Sequence, residues 1–312
     1  MTATDITLRT VRSRSDNWRI VMRVFVTGAS GWIGSAVTAE LISTGHEVVG
    51  LARSDASAAK IEAAGATAQR GDITDLDSLR AGADGVDGII HVGYSHDFSQ
   101  MAQAATMDAA AVHLFGDLLE GTGKPLLIAS GILGAISLES DRPDPAMAPH
   151  PRIQTEHDLL GFADRGIRSA AIRFAPTVHG EGDHGFMAEL VRLDRENGTS
   201  AYVGATRWPA VHRLDAAHLV CLALEKSPAG SAWHAIGEEG IPLKDVAEVI
   251  GRHLDLPVED ITPEVAAEKL GWLGRFLSID STASSAYTRE QLGWEPTHNT
   301  LLEDLEAGYY FK

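Results

Sequence analysis

A chain of 312 residues, 44% of them apolar, is long enough for one large domain or a domain with a smaller lobe around a sizeable core. The 43 acidic residues against 26 basic ones leave a net charge of −17. That excludes a general basic surface for nucleic acid or an anionic membrane, though not a local basic pocket for phosphate. The single cysteine, Cys221, excludes an internal disulfide and a thiolate metal site and favours a reducing cytoplasm, and no run is long and apolar enough to span a bilayer.

Residues 1–21 carry Arg9, Arg12, Arg14 and Arg19 with little apolar periodicity and no apolar stretch of the secretory kind. Asp5 and Asp16 count against an organellar leader, so a disordered arm or an over-extended start is expected, with Met22 opening the folded part. From there strand and helix alternate. Residues 23–26 read as a strand, 33–41 as a helix stopped by Gly45, and 47–51 as a second strand. A third strand is expected at 66–70, a short helix at 76–81 and a buried strand at 88–92. A long alanine- and leucine-rich helix at 101–120, a buried strand at 125–130, a helix at 157–164 and a strand at 169–174 complete this half. Buried apolar strands separated by helices predict an α/β fold, a parallel sheet with helices on both faces and ligands at the carboxyl ends of the strands. After Pro176 the pattern changes to long loops at 177–185 and 198–213, helices at 186–197, 215–226, 243–254 and 263–270, and a strand at 233–236. Residues 22–175 thus read as a nucleotide-binding domain. Residues 176–312 read mainly as a substrate lobe interleaved with the last sheet strands.

The loop after the first of these strands holds Gly28, Gly31 and Gly34, spaced as TGxxGxxG. Gly28 permits the tight turn, Gly31 keeps side chains away from a pyrophosphate, and Gly34 lets the helix lie close on the sheet. The helix N-terminus offers free N–H groups and a positive dipole, and Ser30, Trp32 and Ile33 belong to the same turn. At the end of the second strand Arg53 and Ser54 stand where an NAD enzyme usually places an acid, with Asp55 further out. The charge favours a 2′-phosphate, and so NADP(H) over NAD(H). A solvated surface arginine is the alternative.

TGASGWIG resembles the short-chain dehydrogenase/reductase superfamily, and more narrowly its extended or atypical branch of NAD-dependent epimerase/dehydratase type. The resemblance covers about 23–296. It implies a Rossmann-type doubly wound parallel sheet with a smaller C-terminal substrate lobe. It also implies that Asp72 of GDITD meets the adenine amino group with Ile73 beside it, a helix cap by Asp72 or Thr74 being equally good chemistry. In HVGYSHDF (91–98), Val92 and Gly93 are implied to pass close to the cofactor, with Tyr94, His96 and Asp97 facing the pocket. IASGILG (128–134) matches the strand of the catalytic serine at Ser130, which also suits a turn cap. RFAPTVHGEGDHGF (173–186) resembles the segment that passes the nicotinamide. Pro176, Thr177 and Val178 then approach the carboxamide, and His179 stands where the family often has tyrosine.

The sequence departs from the family at its main acid. The family's YxxxK is absent, and PRIQTEHDLL (151–160) places Arg152 at the tyrosine and Glu156 at the lysine. An arginine is too basic to act as a general acid. An i,i+4 ion pair between Arg152 and Glu156 is expected, or a role for Arg152 in holding an anion or polarising a carbonyl. Tyr94, His96, His179 and His184 are the candidate proton donors, with His96, His184, Phe186 and Trp208 as candidate substrate contacts beside Trp272 and Phe276. Any one of these aromatics serves equally well as ordinary core. His179, Asp183 and His184 lack a recognisable ligand spacing, so no metal is expected, and Asp215 reads as a helix N-cap. The leading expectation is an NADP(H)-dependent oxidoreductase that reduces a carbonyl or oxidises an alcohol of a small organic molecule. A non-catalytic NADP(H)-binding sensor or scaffold is the alternative, and a sugar-nucleotide epimerase or dehydratase the third. By the resemblance, helices matching 103–120 and 155–165 are candidates for a homodimer contact.

Overall fold

The computed structural model describes residues 10–12, 18–94, 101–132, 134, 136–144 and 152–312. Ahead of the main fold, β1 (Thr10–Arg12) and β2 (Trp18–Ile20) pair antiparallel. Two short strands therefore stand within the arm expected to be disordered, in stretches whose Val11, Trp18 and Ile20 favour extended backbone.

The chain divides into two compact units, 1–126 with 165–167 and 127–164 with 168–312. This division falls earlier than the change of pattern at Pro176. The first unit runs β3 (Arg23–Thr27), α1 (Trp32–Ser43), β4 (Glu47–Ala52), α2 (Asp55–Ala63), β5 (Thr67–Arg70), α3 (Leu76–Gly82), β6 (Gly88–His91) and α4 (Met101–Leu119). β7 (Pro125–Gly131) leads into the second. There follow α5 (Arg152–Gly161), β8 (Arg168–Phe174), β9 (Thr177–His179), α6 (Phe186–Asn197), β10 (Ser200–Tyr202) and β11 (Arg207–His212). Next come α7 (Arg213–Lys226), β12 (Ser231–Ala235), β13 (Glu238–Pro242), α8 (Leu243–Leu254) and β14 (Val258–Asp260). Four short helices end the chain: α9 (Pro263–Lys269), α10 (Gly271–Leu277), α11 (Ala286–Leu292) and α12 (Leu301–Glu306). The main sheet is parallel and seven-stranded, ordered β12-β8-β7-β6-β3-β4-β5, the doubly wound Rossmann-type arrangement.

In the first unit β3 lies between β4 and β6, with Val24 opposite Val48 on one side and Gly88 on the other. Val24, Phe25 and Val26 are fully buried, because helices cover both faces of a parallel sheet, and this is why β3 reads as an unbroken apolar run. Phe25 meets Phe115 of α4 edge to face at 6.1 Å. Gly82 makes room for the Phe25 ring, since a Cβ there would lie 2.3 Å from the Phe25 Cζ.

In the second unit β8 pairs in parallel with β12. The two stretches expected as long loops instead contain strands. β9 and β11 join β13 in a three-stranded sheet, and β10 pairs with β14. Three-residue strands such as β9 and β10 leave no measurable alternation in a sequence. Beside them, α6 buries Met187, Leu190, Val191 and Asp194, and α8 buries Val246, Val249 and Ile250, stripes at i, i+3 and i+4 that meet in one core with Trp208, Leu273 and Leu277. Two expected caps fall elsewhere. α7 is capped by the His212 ring, whose Nδ1 accepts the Leu214 N–H, and α3 by Asp75. Asp215 is the third residue of α7, and its carboxylate accepts from the backbone N–H groups of Thr297 and His298 and from His298 Nδ1. Among the described residues no helix is long and apolar enough to cross a membrane.

Candidate active site

The glycine turn of the first unit has the geometry its spacing predicts. Gly28 has φ +70°, and a Cβ on it would lie 2.8 Å from the backbone N and Cα of Gly93. Two backbone segments, one after β3 and one after β6, therefore cross in van der Waals contact, which only glycine permits. Gly34 packs the first turn of α1 onto the same loop, with a Cβ placed 2.0 Å from the Gly28 carbonyl oxygen. Gly31 is exposed and opens α1 with no side-chain cap, so no cap side chain competes for the first N–H groups of a 12-residue helix. Ser30, Trp32 and Ile33 are half-buried around this turn. The cradle fits a dinucleotide diphosphate.

A relay beyond the motif residues locks this crossing. Thr27 Oγ1 accepts the Gly93 N–H at 3.1 Å and lies 2.7 Å from His91 Nδ1, while His91 Nε2 lies 3.2 Å from Asp108 Oδ1 of α4. One set of protons satisfies the whole chain. The threonine hydroxyl donates to Nδ1, and Nε2–H donates to the carboxylate. All three side chains are buried. The only signal in the sequence is HVGY, where a histidine ends a buried apolar strand, and nothing there names its partners.

Around the turn, Val92 and Ile73 come together. A Cβ on Gly93 would lie 3.3 Å from Ile73 Cγ2, and Val92 borders Gly28. The Asp72 carboxylate accepts from the N–H and the hydroxyl of Thr74, both at 2.9 Å, so it fastens its own turn and caps no helix. Arg53 follows β4 directly and is exposed. Ser54 caps α2 reciprocally with Ser57. Asp55 is ion-paired with Arg70, whose position is opposite Ala52 in the β4–β5 register. Tyr94 is half-buried, and His96 and Asp97 lie outside the described residues.

The second unit carries Ser130 near the carboxyl end of β7, 8% exposed. Its hydroxyl donates to Glu156 Oε2 of α5, while Glu156 Oε1 accepts from Arg173 Nε at 2.9 Å and Nη2 at 2.6 Å. Glu156 is thus held by β7 and β8 rather than reserved for Arg152, and the expected i,i+4 pair gives way to a buried one. Arg152 donates to the Ala129 carbonyl of β7 instead. The lysine position of the family is a buried carboxylate here. Arg173 Nη1 reaches His234 Nε2 at 3.3 Å, and His234 Nδ1 donates to the Ser284 carbonyl at 2.7 Å. Burial holds His234 below the ordinary histidine value, in keeping with a neutral ring that accepts at Nε2.

The remaining candidates of this unit separate. His179 is fully buried, with Nδ1 2.6 Å from Asp304 Oδ2 of α12 and Nε2 3.8 Å from Glu238 Oε2. It ties β9 to α12 and has no exposed face from which to deliver a proton. The bonds from His179 and Asn299 outweigh burial and keep Asp304 below the usual carboxylate range, while burial pushes Glu238 up. His212 and His298 stack at 4.7 Å beside Asp215. Asp215 already accepts three donors, His298 among them, and His212 Nδ1 accepts from Leu214, so Asp215 and His298 form a hydrogen-bonded tie on which His212 stacks. Pro176 and Val178 are half-buried, and Thr177 is buried with Oγ1 lacking a hydrogen-bond partner among the described residues. Trp208 is 1% exposed and donates to the Ile279 carbonyl, so it belongs to the core rather than to a substrate wall. Phe186 packs on it at 5.9 Å and on Trp272 at 5.3 Å, partly buried, while His184 is exposed.

The crossed glycine loops, open helix end and doubly wound sheet define a dinucleotide-binding protein. The family model described as the NAD dependent epimerase/dehydratase family matches residues 24–125. An uncharacterized protein of Schizosaccharomyces pombe is 47% identical over 298 residues, 93% of this chain and all of the relative. Another from Saccharomyces cerevisiae is 44% identical over 296 residues, 92% of this chain and 99% of the relative. Among solved structures, a dTDP-glucose 4,6-dehydratase of Streptomyces venezuelae, determined with NAD and TYD bound, shares the fold with a TM-score of 0.72 and 19% identity, covering 93% of this chain and 97% of that one. The chain belongs to the NAD-dependent epimerase/dehydratase family.

Proposed function

We propose that the chain is an NADP(H)-dependent oxidoreductase that interconverts a carbonyl and an alcohol on a small organic substrate. The observation that carries the cofactor preference lies at the carboxyl end of β4. Arg53 is exposed there, and the nearest acid, Asp55, is drawn to Arg70 instead of standing free for a ribose 2′-hydroxyl. A guanidinium in this position favours a 2′-phosphate. When bound, the dinucleotide supplies hydride exchange at its nicotinamide ring. The chain's own part is to hold it and to manage the substrate oxygen. The Gly28–Gly34 turn with Ser30, Trp32 and Ile33 takes the diphosphate. Val92, Gly93, Asp72 and Ile73 border the adenosine, with Ser54 beside Arg53. Pro176, Thr177 and Val178 border the nicotinamide amide, and the buried Thr177 hydroxyl supports this by having no hydrogen-bond partner among the described residues. Ser130 bonds the substrate oxygen, while Arg152, tied to the Ala129 carbonyl, steadies the strand that carries it. His184 and Phe186 remain the candidate substrate contacts.

Calorimetric titration with NADPH and NADH, on the wild type and on Arg53→Ala, tests the reading. NADPH binds more tightly than NADH, and the variant loses about 10- to 100-fold in NADPH affinity alone, the worth of one or two charge-assisted bonds. Binding of neither dinucleotide refutes the proposal. A second reading, an NADP(H)-binding sensor without chemistry, is favoured by one observation. The two positions of the missing acid–base pair, Arg152 and Glu156, are both spent on protein partners. Screening aldehydes, ketones and alcohols by NADPH absorbance separates the two.

A further inference from the structure

We infer that Glu156 is the proton acceptor for an alcohol substrate, working through Ser130, and that the site is therefore built for a hydroxyl-bearing substrate and its oxidation. The inference rests on the oxidoreductase reading and gives it a direction. It comes from counting protons on one hydroxyl.

Serine has one O–H to donate and two lone pairs with which to accept. In the family serine that hydrogen is turned toward a substrate carbonyl. Here the Ser130 hydrogen is committed to Glu156 Oε2. Glu156 does not release it, because both Arg173 bonds fall on Oε1 and leave Oε2 to the serine. Arg173 does not move to take over Oε2. Its Nη1 is bonded to the carbonyls of Leu138 and Glu139 and to His234, and its Nη2 to the Asp141 carbonyl. What Ser130 presents is lone pairs. The matching group is an O–H donor, an alcohol, rather than a carbonyl oxygen. A lysine at position 156 would reverse this polarity, since an ammonium group only donates.

In the forward step the substrate O–H bond breaks and its proton passes to Ser130 Oγ, as the Ser130 proton passes to Glu156 Oε2. As the O–H electron pair forms the C=O bond, the carbinol carbon gives up its C–H electron pair as hydride, for which a bound oxidised dinucleotide would supply the acceptor. The proton returns to water through Ser130 after the ketone or aldehyde departs. The charged and titratable groups around Glu156 are Arg173 on β8, His234 on β12, Glu139, Asp141 and Arg142 in the segment after β7, and Arg152 on α5 itself. Of the acids, Glu139 is held by the Thr288 N–H and hydroxyl, and Asp141 by the N–H groups of Ser137 and Leu138. Neither of those two carboxylates bonds Ser130 in its place among the described residues.

Two measurements test the relay. The first needs no ligand. With 13C-labelled glutamate carboxyls, the Ser130→Ala variant moves one glutamate carboxyl resonance relative to wild type, because Glu156 loses its donor while keeping Arg173. A spectrum in which no glutamate carboxyl moves overturns the inference. The second follows NADPH formation from a panel of secondary alcohols against pH. Ser130→Ala and Glu156→Asp, which keeps the charge opposite Arg173, each lower turnover at least 100-fold, the usual worth of a positioned proton acceptor, with NADP+ affinity within twofold of wild type. The shape of the pH–rate profile changes in Glu156→Asp, which a merely structural loss would leave as in the wild type. A folded Glu156→Asp with unchanged turnover and pH profile overturns the relay and leaves Ser130 acting alone. Absence of NADP+ binding in the wild type, by contrast, falls on the oxidoreductase reading, whereas NADP+ binding with an unmoved carboxyl resonance falls on the relay.

Discussion

Replacing Asp194 by asparagine is expected to stabilise the protein at alkaline pH and to leave it nearly unchanged in mild acid. Asp194 lies on the apolar stripe of α6, fully buried, and burial pushes its carboxyl up to about 7 from an ordinary 3.8, against the opposing bonds from Ser200 and Ala201. The geometry independently asks for a proton. Ser200 Oγ lies 2.9 Å from both Asp194 Oδ2 and the Ala247 carbonyl, and one hydroxyl hydrogen serves only one of them. A protonated Asp194 donates to Ser200, which then donates to Ala247, and every group is satisfied. A carboxyl whose folded value is raised binds its proton more tightly in the native state. Its contribution is complete below pH 3.8 and is lost as pH rises toward 7. Holding the proton to about 7 instead of 3.8 corresponds to about 4 kcal/mol, more than half of which falls between pH 5 and pH 8. Asparagine copies the neutral acid and does not titrate. In urea unfolding at the two pH values, the stability difference between Asp194→Asn and wild type therefore grows by roughly 2–3 kcal/mol toward pH 8. A difference that stays constant across that range refutes the argument.

Two further substitutions test the crossing and the C-terminal tie. Gly28→Ala forces a methyl to within 2.8 Å of the Gly93 backbone at φ +70°, so NADPH affinity falls more than about tenfold by calorimetry while far-ultraviolet circular dichroism is retained. Unaltered affinity would mean that the crossing does not shape the diphosphate site. Asp215→Ala strips the acceptor from Thr297 and His298 and lowers stability by about 2 kcal/mol in urea unfolding, a loss below about 0.5 kcal/mol counting against the tie.

Much of the first unit is legible in order. Apart from α2, for which no span was expected, its strands and helices fall within a residue or two of the expected spans, because both faces of the sheet are covered and the apolar runs are continuous. The glycine turn is legible for a stronger reason. A positive φ and a backbone crossing that would set a Cβ 2.8 Å from Gly93 exclude every side chain, so the constraint is written as residue type. Position 198 is similar, a glycine at φ +70° that stops α6 where the pattern ends. The strands β9, β10 and β11 are not legible. Their pairing partners lie tens of residues away, and three to six residues carry no period of their own.

By itself the sequence determined the alternation of elements, the dinucleotide turn, the absence of YxxxK and the arginine after the second strand. These are properties of residue type at short range. Only the tertiary structure decided what each polar side chain spends its hydrogen bonds on. It sent Glu156 to Arg173 and Ser130 rather than to Arg152, turned His179 inward to Asp304, put Trp208 in the core, and joined Thr27, His91 and Asp108 behind Gly93. Such partners are separated by 17 to 125 residues, and burial forces each donor to find an acceptor wherever the fold has brought one within about 3 Å.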